Sequence, residues 1–154
     1  MTPAIARAEA AGIEFSVHAF EGGSGRGFGA RASEALGLPA ERIFKTLVAK
    51  LDDARLVVAI LPVASQLDLK RLAAAAGAKR AAMAPSREAE RATGYVIGGI
   101  SPLGQRQPLP TFLDESALGF ATIYVSAGRR GLELELAPQA LLDLCRGEAV
   151  RLSR

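Results

Sequence analysis

Residues 43–61 read IFKTLVAKLDDARLVVAIL, and they carry the clearest structural signal in the chain. Two runs rich in β-branched and aliphatic residues, Ile43–Leu51 and Arg55–Leu61, flank the short polar segment Asp52-Asp53-Ala54. Two such runs joined by a tight polar turn are typical of a β-hairpin. Antiparallel pairing at this position argues against the repeated βαβ units of a doubly wound sheet.

Signals for helices and further strands surround this hairpin. Thr2 and Pro3 provide a cap and a first helical residue for a helix that ends before Gly12, and Ser86 is a predicted cap for a helix that ends at Gly94. The predicted helices are residues 3–11, 30–36, 68–76, 86–93 and 138–145, and the further strands are residues 15–20, 79–84, 109–113, 121–126 and 132–136. This pattern predicts one α+β domain over residues 1–154, with a mixed, mainly antiparallel, barrel-like curved sheet and flanking helices.

The composition limits the kinds of protein this chain can be. The hydrophobic fraction is 49%, the formal net charge is +3, and Cys145 is the only cysteine. A single cysteine excludes an internal disulfide and a cysteine-based metal cluster, and no segment approaches the ~20 apolar residues that span a bilayer. We expect a cytoplasmic protein without a cofactor, a metal or a membrane partner. The mild positive charge suits weak recruitment of a phosphate backbone, or it belongs simply to a basic soluble protein.

A glycine-rich loop follows the helix predicted at residues 86–93. Residues 93–104 read TGYVIGGISPLG, so a short apolar run ends in Gly98 and Gly99 and continues into a Ser-Pro pair. Glycines lack a Cβ atom, which lets peptide N–H groups gather around a small hollow that binds oxyanions or carbonyls. The loop indicates a pocket for an ester or a phosphate, or it only connects two elements.

Lys45 interrupts the apolar run of the first hairpin strand. Strand alternation places Lys45 on one side with Ile43 and Leu47, away from Phe44 and Val48. An ammonium among aliphatic side chains is costly unless a partner or a cleft receives it. Two interpretations stay open at this point: a solvated strand lysine, or an amine that reaches a phosphate or a developing negative charge beside the glycine loop.

A second glycine-rich segment spans residues 22–29 and reads GGSGRGFG. Together with Ala30 it fits a loose G-x-G-x-x-A pattern, which is found in dinucleotide-binding proteins. The loop is long, no Lys-Ser/Thr pair follows it, and the next elements form a hairpin. These features favour a mobile lid carrying Phe28 over a dinucleotide site.

The remaining reactive side chains give weak signals. His18 is the only histidine and has no clear Ser or Cys partner, so we expect a surface residue rather than a base. Cys145 is expected to be a buried structural thiol, and neither Ser101 nor Ser126 lies in a G-x-S-x-G elbow. The chain therefore offers hydrogen-bond donors, a cation and a glycine hollow, which favours catalysis by positioning and electrostatics, or simple binding.

Five segments of the chain, taken together, resemble one known family. They are residues 1–4 (MTPA), 44–47 (FKTL), 62–70 (PVASQLDLK), 93–105 (TGYVIGGISPLGQ) and 120–126 (FATIYVS). They resemble bacterial YbaK-like proteins, which are Cys-tRNA(Pro) deacylases related to the editing domain inserted in bacterial prolyl-tRNA synthetases. The resemblance extends to about Leu136 and implies an ester hydrolase that removes cysteine wrongly attached to proline tRNA. Such a second sieve is needed because cysteine and proline are similar in size.

The resemblance also implies roles for particular residues. Lys45 corresponds to an essential lysine thought to contact the terminal adenosine of the tRNA, and Gly98 and Gly99 correspond to positions near the aminoacyl carbonyl. In this family the substrate's own thiol attacks its ester, which gives a cyclic thiolactone and free tRNA. A well-oriented internal nucleophile corresponds to effective molarities of roughly 10⁵–10⁸ M. Loop N–H groups would stabilise the oxyanion.

The expected substrate-binding residues come from the same motifs and from family pocket positions. They are Phe20, Phe28, Thr46, Ile100, Ser101, Pro102, Ser126 and Glu133. Two of them depart from the family pattern, because a tyrosine often stands at the position of Phe20 and an aspartate at that of Glu133.

The resemblance implies two partners and leaves two alternatives. The partners are the 3′ end of aminoacylated tRNA(Pro) and, where tRNA identity is read by a docked enzyme, prolyl-tRNA synthetase. One alternative is a sibling deacylase for Ala-tRNA(Pro) or another small amino acid, which would need water as its nucleophile. The other is a non-catalytic tRNA-binding or synthetase-binding module.

Overall fold

The computed structural model describes residues 1–20 and 37–154. The lid predicted at residues 22–29, with Phe28, and the helix predicted at residues 30–36 lie outside the described residues. The described helices are α1 (Pro3–Ala11), α2 (Leu69–Ala75), α3 (Ser86–Thr93) and α4 (Pro138–Cys145), with short 3₁₀ helices at Ala40–Arg42 and Glu115–Gly119. The described strands are β1 (Phe15–Ala19), β2 (Phe44–Leu51), β3 (Leu56–Pro62), β4 (Ala81–Met83), β5 (Thr111–Asp114), β6 (Ile123–Arg129), β7 (Leu132–Leu136) and β8 (Glu148–Val150).

The helix ends follow the local chemistry of the sequence. The Thr2 hydroxyl accepts a hydrogen bond from the Ile5 N–H, and Gly12 ends α1 in the left-handed region with φ 68°. The expectation for Ser86 is wrong, because Ser86 is the first helical residue and Pro85 stands at the N-cap without a side-chain bond. Proline holds the extended backbone that precedes a helix, so α3 begins there without a capping hydroxyl.

The predicted hairpin is confirmed, since β2 and β3 pair antiparallel from Phe44 opposite Pro62 to Lys50 opposite Leu56. One sheet has the order β4-β2-β3-β5-β8, and the other has the order β1-β7-β6. Only the β3–β5 and β5–β8 pairs are parallel, so the mixed, mainly antiparallel α+β architecture is confirmed. The single barrel-like sheet is not confirmed, because the described strands form two sheets that meet at one isolated bridge between Ile43 and Tyr124.

The main core fills the space between the two sheets. Phe44 and Val48 from β2 pack there with Leu134 from β7, and α1 and α4 contribute to the same cluster. A second core on the outer face of the larger sheet includes Leu72 of α2 and Val57 of β3. Strand β3 is therefore buried on both faces, which explains its unbroken apolar run. None of the helices described is both long and apolar enough to traverse a bilayer.

Candidate active site

Among residues 1–20 and 37–154, no strand pairs with one edge of β2 over its first half. On one side β2 pairs with β3 along residues 44–50, but on the other side β4 pairs only with residues 49–51, and β6 meets the chain only at Ile43. The Val63 N–H donates to Ile43 O, so odd-numbered residues direct their backbone groups toward β3. By alternation, the N–H and C=O of Thr46 face the open edge, where a ligand can pair with them.

The open edge borders a cavity of about 460 Å³. Its walls are the first half of β2, the segment that leads into α3, the glycine loop and the β6–β7 hairpin. Six of the residues expected from the sequence to form the site meet in this cavity: Lys45, Thr46, Gly98, Ile100, Ser126 and Glu133. Lys45 and the glycine loop therefore line the same concave site.

Lys45 is half-buried and its amine is held by the turn after β3. The ammonium Nζ donates to Ser65 O at 2.6 Å and to Val63 O at 3.5 Å. Burial lowers the pKa of Lys45 from its ordinary value. An ammonium has three hydrogens, so two carbonyl acceptors orient the group and leave one hydrogen for an anion or an oxygen in the cavity.

Two buried oxygen atoms of the cavity have no hydrogen-bond partner among the described residues. They are Oε2 of Glu133, a residue only 3% exposed, and Oγ1 of Thr46. Leaving such a group without a partner costs about 1–3 kcal/mol, so two in one cavity indicate that water or a polar ligand completes their hydrogen bonds. Burial raises the pKa of Glu133 to about 8, so at neutral pH its carboxyl is mostly protonated and can donate a hydrogen bond.

The glycine loop passes close to the β6–β7 hairpin. Gly98 has φ 92°, and a Cβ atom there would overlap the Arg130 guanidinium. A Cβ atom on Gly99 would lie 3.1 Å from the Arg129 Cα. Gly99 therefore fits closely against the hairpin backbone, whereas Gly98 needs glycine for its backbone angle.

The hollow formed by the loop amides is smaller than the sequence indicated. The Gly99 N–H donates to Val96 O at 2.8 Å, and the Ile97 N–H donates to Glu90 Oε2 at 2.8 Å. These two amides are used inside the protein. A ligand in the cavity would instead meet the loop at Gly98 and Ile100.

The structure does not bring the other predicted site residues into this cavity. Gly99 lines a separate groove on the far side of the loop, and Pro102 lines a cavity beside α4. Ser101 is fully buried, and its hydroxyl accepts a bond from a later amide of the same loop. Phe20 packs with the cluster around the bridge between the sheets, and Phe28 lies outside the described residues.

A second polar group, the paired cluster, lies on the neighbouring part of the smaller sheet. It consists of His18, Arg42, Thr122, Tyr124 and Glu135. His18 Nε2 lies 2.9 Å from Glu135 Oε1, and the Thr122 hydroxyl donates to Glu135 Oε2 at 2.6 Å. The Arg42 guanidinium lies 5.2 Å from the centre of the Tyr124 ring. The histidine is thus part of a partly buried ion-pair cluster, which the sequence did not indicate.

Sequence reasoning also missed the groups that hold Lys45. The backbone carbonyls of Val63 and Ser65 belong to the PVASQLDLK segment, which contributes to the family resemblance but was not assigned to the site. No side-chain pattern could have revealed these acceptors, because they are backbone atoms. Met83 and Ala89 add apolar wall to the cavity, and their sequence context had indicated only a strand and a helix.

Neither the single cysteine nor a metal site is part of this cavity. The Cys145 Sγ donates to Leu141 O at 3.0 Å, and burial raises the thiol pKa to about 11, so it is unreactive near neutral pH. Over residues 1–20 and 37–154, no group of three or more His, Cys, Asp or Glu residues is placed to hold a metal ion.

Comparisons with known proteins identify the family and the fold. Residues 29–144 match the family described as the aminoacyl-tRNA editing domain. An Enterococcus faecalis protein with the provisional name Cys-tRNA(Pro)/Cys-tRNA(Cys) deacylase EbsC is 46% identical over 116 residues, which are 75% of this chain and 71% of that protein.

Solved structures show the same fold. A crystal structure described provisionally as a trans-editing enzyme for prolyl tRNA synthetase has a TM-score of 0.85 and 25% identity, over 100% of this chain and 99% of that one. The hypothetical protein APE2540 has a TM-score of 0.89 and 22% identity, over 99% of this chain and 100% of that one. The second likeness concerns the fold alone.

Proposed function

We propose, from the premise that this chain belongs to the aminoacyl-tRNA editing domain family, that it removes cysteine from mischarged Cys-tRNA(Pro). The observation that carries the proposal is the cavity that Lys45 and the glycine loop both line, together with two polar atoms that have no partner among the described residues. The relative from Enterococcus faecalis, named for the same substrate, supports the choice of cysteine.

The described residues of the cavity show no hydrogen-bonded pair of nucleophile and base. Ser126 lies opposite Glu133 in the β6–β7 pairing, but the Ser126 hydroxyl accepts a bond from the Gly128 N–H at 3.1 Å, and Glu133 Oε2 has no partner among the described residues. His18, the only histidine of the chain, lies on β1, and β7 separates β1 from β6. Two strand spacings, roughly 10 Å, therefore separate His18 from Ser126, and the imidazole is engaged by Glu135. This arrangement favours a nucleophile that the substrate itself supplies.

The similar sizes of cysteine and proline favour chemical selection. The cavity of about 460 Å³ is proposed to hold the terminal nucleotide as well as the amino acid. One methylene of difference yields only about 1–3 kcal/mol even in a close-fitting pocket. A reaction that requires a thiol spares both prolyl and alanyl esters without any steric barrier.

The proposed reaction is an intramolecular acyl transfer. The cysteine sulfur of the substrate attacks its own ester carbonyl carbon, so a C–S bond forms and the C–O bond to the ribose breaks. The thiol proton ends on the ribose hydroxyl, and the products are a cyclic thiolactone and free tRNA. Water then opens the thiolactone to cysteine. The protein orients the ester and stabilises the tetrahedral oxyanion.

Each wall of the cavity has a role in this reaction. The Lys45 ammonium, held by Ser65 O, offers its remaining hydrogen to the terminal nucleotide or to developing negative charge. The loop at Gly98 and the open-edge N–H of Thr46 are candidate donors to the ester carbonyl. The protonated Glu133 carboxyl donates a further hydrogen bond inside the cavity.

A panel of three substrates tests the proposed function. Purified protein is incubated with Cys-tRNA(Pro), Ala-tRNA(Pro) and Pro-tRNA(Pro), and release of the amino acid is followed over time. We expect rapid loss of cysteine only, with thiolactone detectable by trapping. Equal rates for the cysteinyl and prolyl esters would reject selection by the thiol, and turnover of the alanyl ester would favour a sibling deacylase. Salt-sensitive tRNA binding without any turnover would indicate a binding module.

We also propose that prolyl-tRNA synthetase helps to deliver the tRNA. The formal net charge of +3 provides only a weak field, so recognition of tRNA(Pro) by this chain alone is expected to be modest. A pull-down of the synthetase with and without tRNA(Pro) checks this. Absence of a ternary complex, together with selective hydrolysis by the isolated protein, would contradict it.

A further inference from the structure

A second groove lies on the far side of the glycine loop. It has a volume of about 460 Å³ and lies between the start of α1, the loop and the β6–β7 turn. Ile97 lines both this groove and the cavity of the proposed active site, so only the thickness of the loop separates the two. We name it the arginine groove, after Arg129 and Arg130 in its wall.

The arginines at this groove have no acidic partner within the described ranges. None of the ion pairs found there includes Arg129, Arg130 or Arg106, and no Asp or Glu lines the groove. The Arg106 side chain lies 3.6 Å from the place of a Cβ atom on Gly94, which lines the groove. The Glu90 carboxylate borders the groove through its bond to the Ile97 N–H, so three guanidinium groups stand against one carboxylate and the balance of charge favours an anion.

Arg130 is held in position by the glycine loop. Its Nη2 donates to Ile97 O at 3.4 Å, and the guanidinium occupies the space that a side chain on Gly98 would fill. A guanidinium has five N–H donors, so this single bond to a neutral carbonyl leaves the others for a ligand. The glycine that borders the cavity thus also positions a cation over the neighbouring groove.

The rim of the groove is apolar and accessible. Val96 is 72% exposed and Ile97 is 40% exposed, and both line the groove. A ligand that matches this surface carries negative charge and a flat apolar part side by side. A nucleotide unit, with its phosphodiester and its base, has this combination in every residue of the strand, whereas a free phosphate lacks it and an acidic peptide has it only where an apolar side chain lies beside a carboxylate.

We propose that the arginine groove binds a phosphodiester of the single-stranded 3′ end of tRNA while the esterified terminus lies in the cavity. The proposal rests on the proposed function, since it concerns the same substrate. The strand crosses the loop beside Ile97, which lines both the groove and the cavity. The β6–β7 hairpin then contributes to both ends of the ligand, with Glu133 in the cavity and Arg130 at the groove.

Binding of uncharged tRNA(Pro) tests this proposal without any need for turnover. Affinity is measured at several salt concentrations for the wild type, for Arg130→Gln and for the double variant Arg129→Gln/Arg130→Gln. We expect roughly a three- to tenfold loss of affinity for the single variant, and a decrease of about 0.7 in the slope of log affinity against log salt for each phosphate that the variant no longer neutralises. Arg151→Gln is the matched control, because Arg151 is exposed, lies in the segment after β8 and loses the same charge.

Kinetic measurements distinguish binding in the arginine groove from the reaction in the cavity. For Arg130→Gln we expect a higher KM for Cys-tRNA(Pro) with kcat unchanged, and unchanged turnover of cysteinyl-adenosine, which has no phosphodiester. Arg130→Lys should recover part of the affinity. Equal tRNA affinity for the Arg130 and Arg151 variants would overturn the proposal, as would an equal loss on cysteinyl-adenosine. If the wild type binds tRNA through these arginines but cleaves no ester, the proposed function is wrong and the proposal that the arginine groove binds tRNA is retained.

Discussion

Two glutamates of β7 stand two residues apart and have opposite surroundings. Glu133 is 3% exposed, faces the cavity and has an oxygen without a partner among the described residues. Glu135 belongs to the paired cluster, where both carboxylate oxygens have partners. Burial raises the pKa of Glu133 to about 8. Burial also acts on Glu135, but hydrogen bonds from Thr122, His18 and Tyr124 outweigh it and lower the pKa.

This difference separates a structural group from a ligand-binding one. A buried polar atom is normally satisfied inside the protein, and the paired cluster follows that rule. Thr46 of β2 and Glu133 of β7 do not follow this rule, because each has a buried oxygen without a partner among the described residues. Both residues line the same cavity. Departures of this kind are expected where a ligand completes the hydrogen bonds, so the same strand presents a structural cluster at one end and a binding site at the other.

The largest expected effect comes from removing the cation of the cavity. Lys45→Ala should lower kcat/KM on Cys-tRNA(Pro) by about 10²–10³-fold, the usual range for removing one electrostatic interaction with the transition state. The thermal midpoint should change little, because the amine is only half-buried and contacts carbonyls at a turn. Initial deacylation rates and a thermal melt measure the two effects.

Lys50→Ala is the matched control on the same strand. Lys50 pairs with Glu88 at 2.9 Å, with both side chains 37% exposed, and such pairs contribute less than about 1 kcal/mol. Its activity should equal that of the wild type. An equal loss of activity in both variants would show that any lysine of β2 supports the reaction through its charge alone. That result would contradict a specific role for the lysine in the cavity.

The two glutamates should give opposite dependences of stability on pH, and Glu133 should give the larger one. Its folded pKa of about 8 exceeds the ordinary 4.5, so between these values the folded state binds more protons than the unfolded state. The free energy of unfolding should therefore fall as the pH rises through this window, by up to about 1.4 kcal/mol per pH unit. Glu133→Gln should flatten the profile, as measured by denaturant unfolding between pH 5 and 9. An unchanged slope would mean that Glu133 is ionised in the fold.

The hairpin, α1 and α3 could be predicted because their signals are local. A tight polar turn, a threonine cap and glycines at the helix ends act within a few residues, so the sequence alone indicates them. Strand β8 could not be predicted, since its three residues depend on parallel pairing with the distant β5. The two sheets meet at a single bridge between Ile43 and Tyr124. The hydrophobic periodicity of the sequence does not reveal this contact.

The candidate site was only partly predictable, and Glu133 shows why. Residues 132–136 alternate Leu and Glu, a pattern typical of a strand with its glutamates in water. The fold instead covers Glu133 and leaves Glu135 part-exposed, because the open edge of β2 and the glycine loop enclose only one of them. The family resemblance indicated Glu133, Lys45 and Gly98, whereas the carbonyl contacts of Lys45 required the structure.

Glu135→Gln should have a smaller effect of opposite sign. Because the folded pKa lies below the ordinary value, ionised Glu135 contributes stability above that value, and this contribution disappears as the pH falls through the folded pKa. The substitution should destabilise the protein by about 1 kcal/mol at pH 7 and have little effect in acid. Unfolding at pH 7 and below pH 4 measures this. A destabilisation that is equally large at both pH values would indicate a packing defect rather than the absence of an ionised group.

The smallest expected effects concern two threonines, Thr46 in the cavity and Thr122 in the paired cluster. The Thr46 hydroxyl is buried and unpartnered among the described residues, so Thr46→Val should stabilise the protein by up to about 1–3 kcal/mol while lowering kcat/KM by roughly three- to tenfold. The Thr122 hydroxyl donates to Glu135 and accepts from Arg42, so Thr122→Val should cost about 1 kcal/mol of stability and leave kcat/KM unchanged. Denaturant unfolding and deacylation rates for the two variants form a crossed comparison. If Thr46→Val were the destabilising change and Thr122→Val the inactivating one, the paired cluster would be the binding site and the cavity a packing feature.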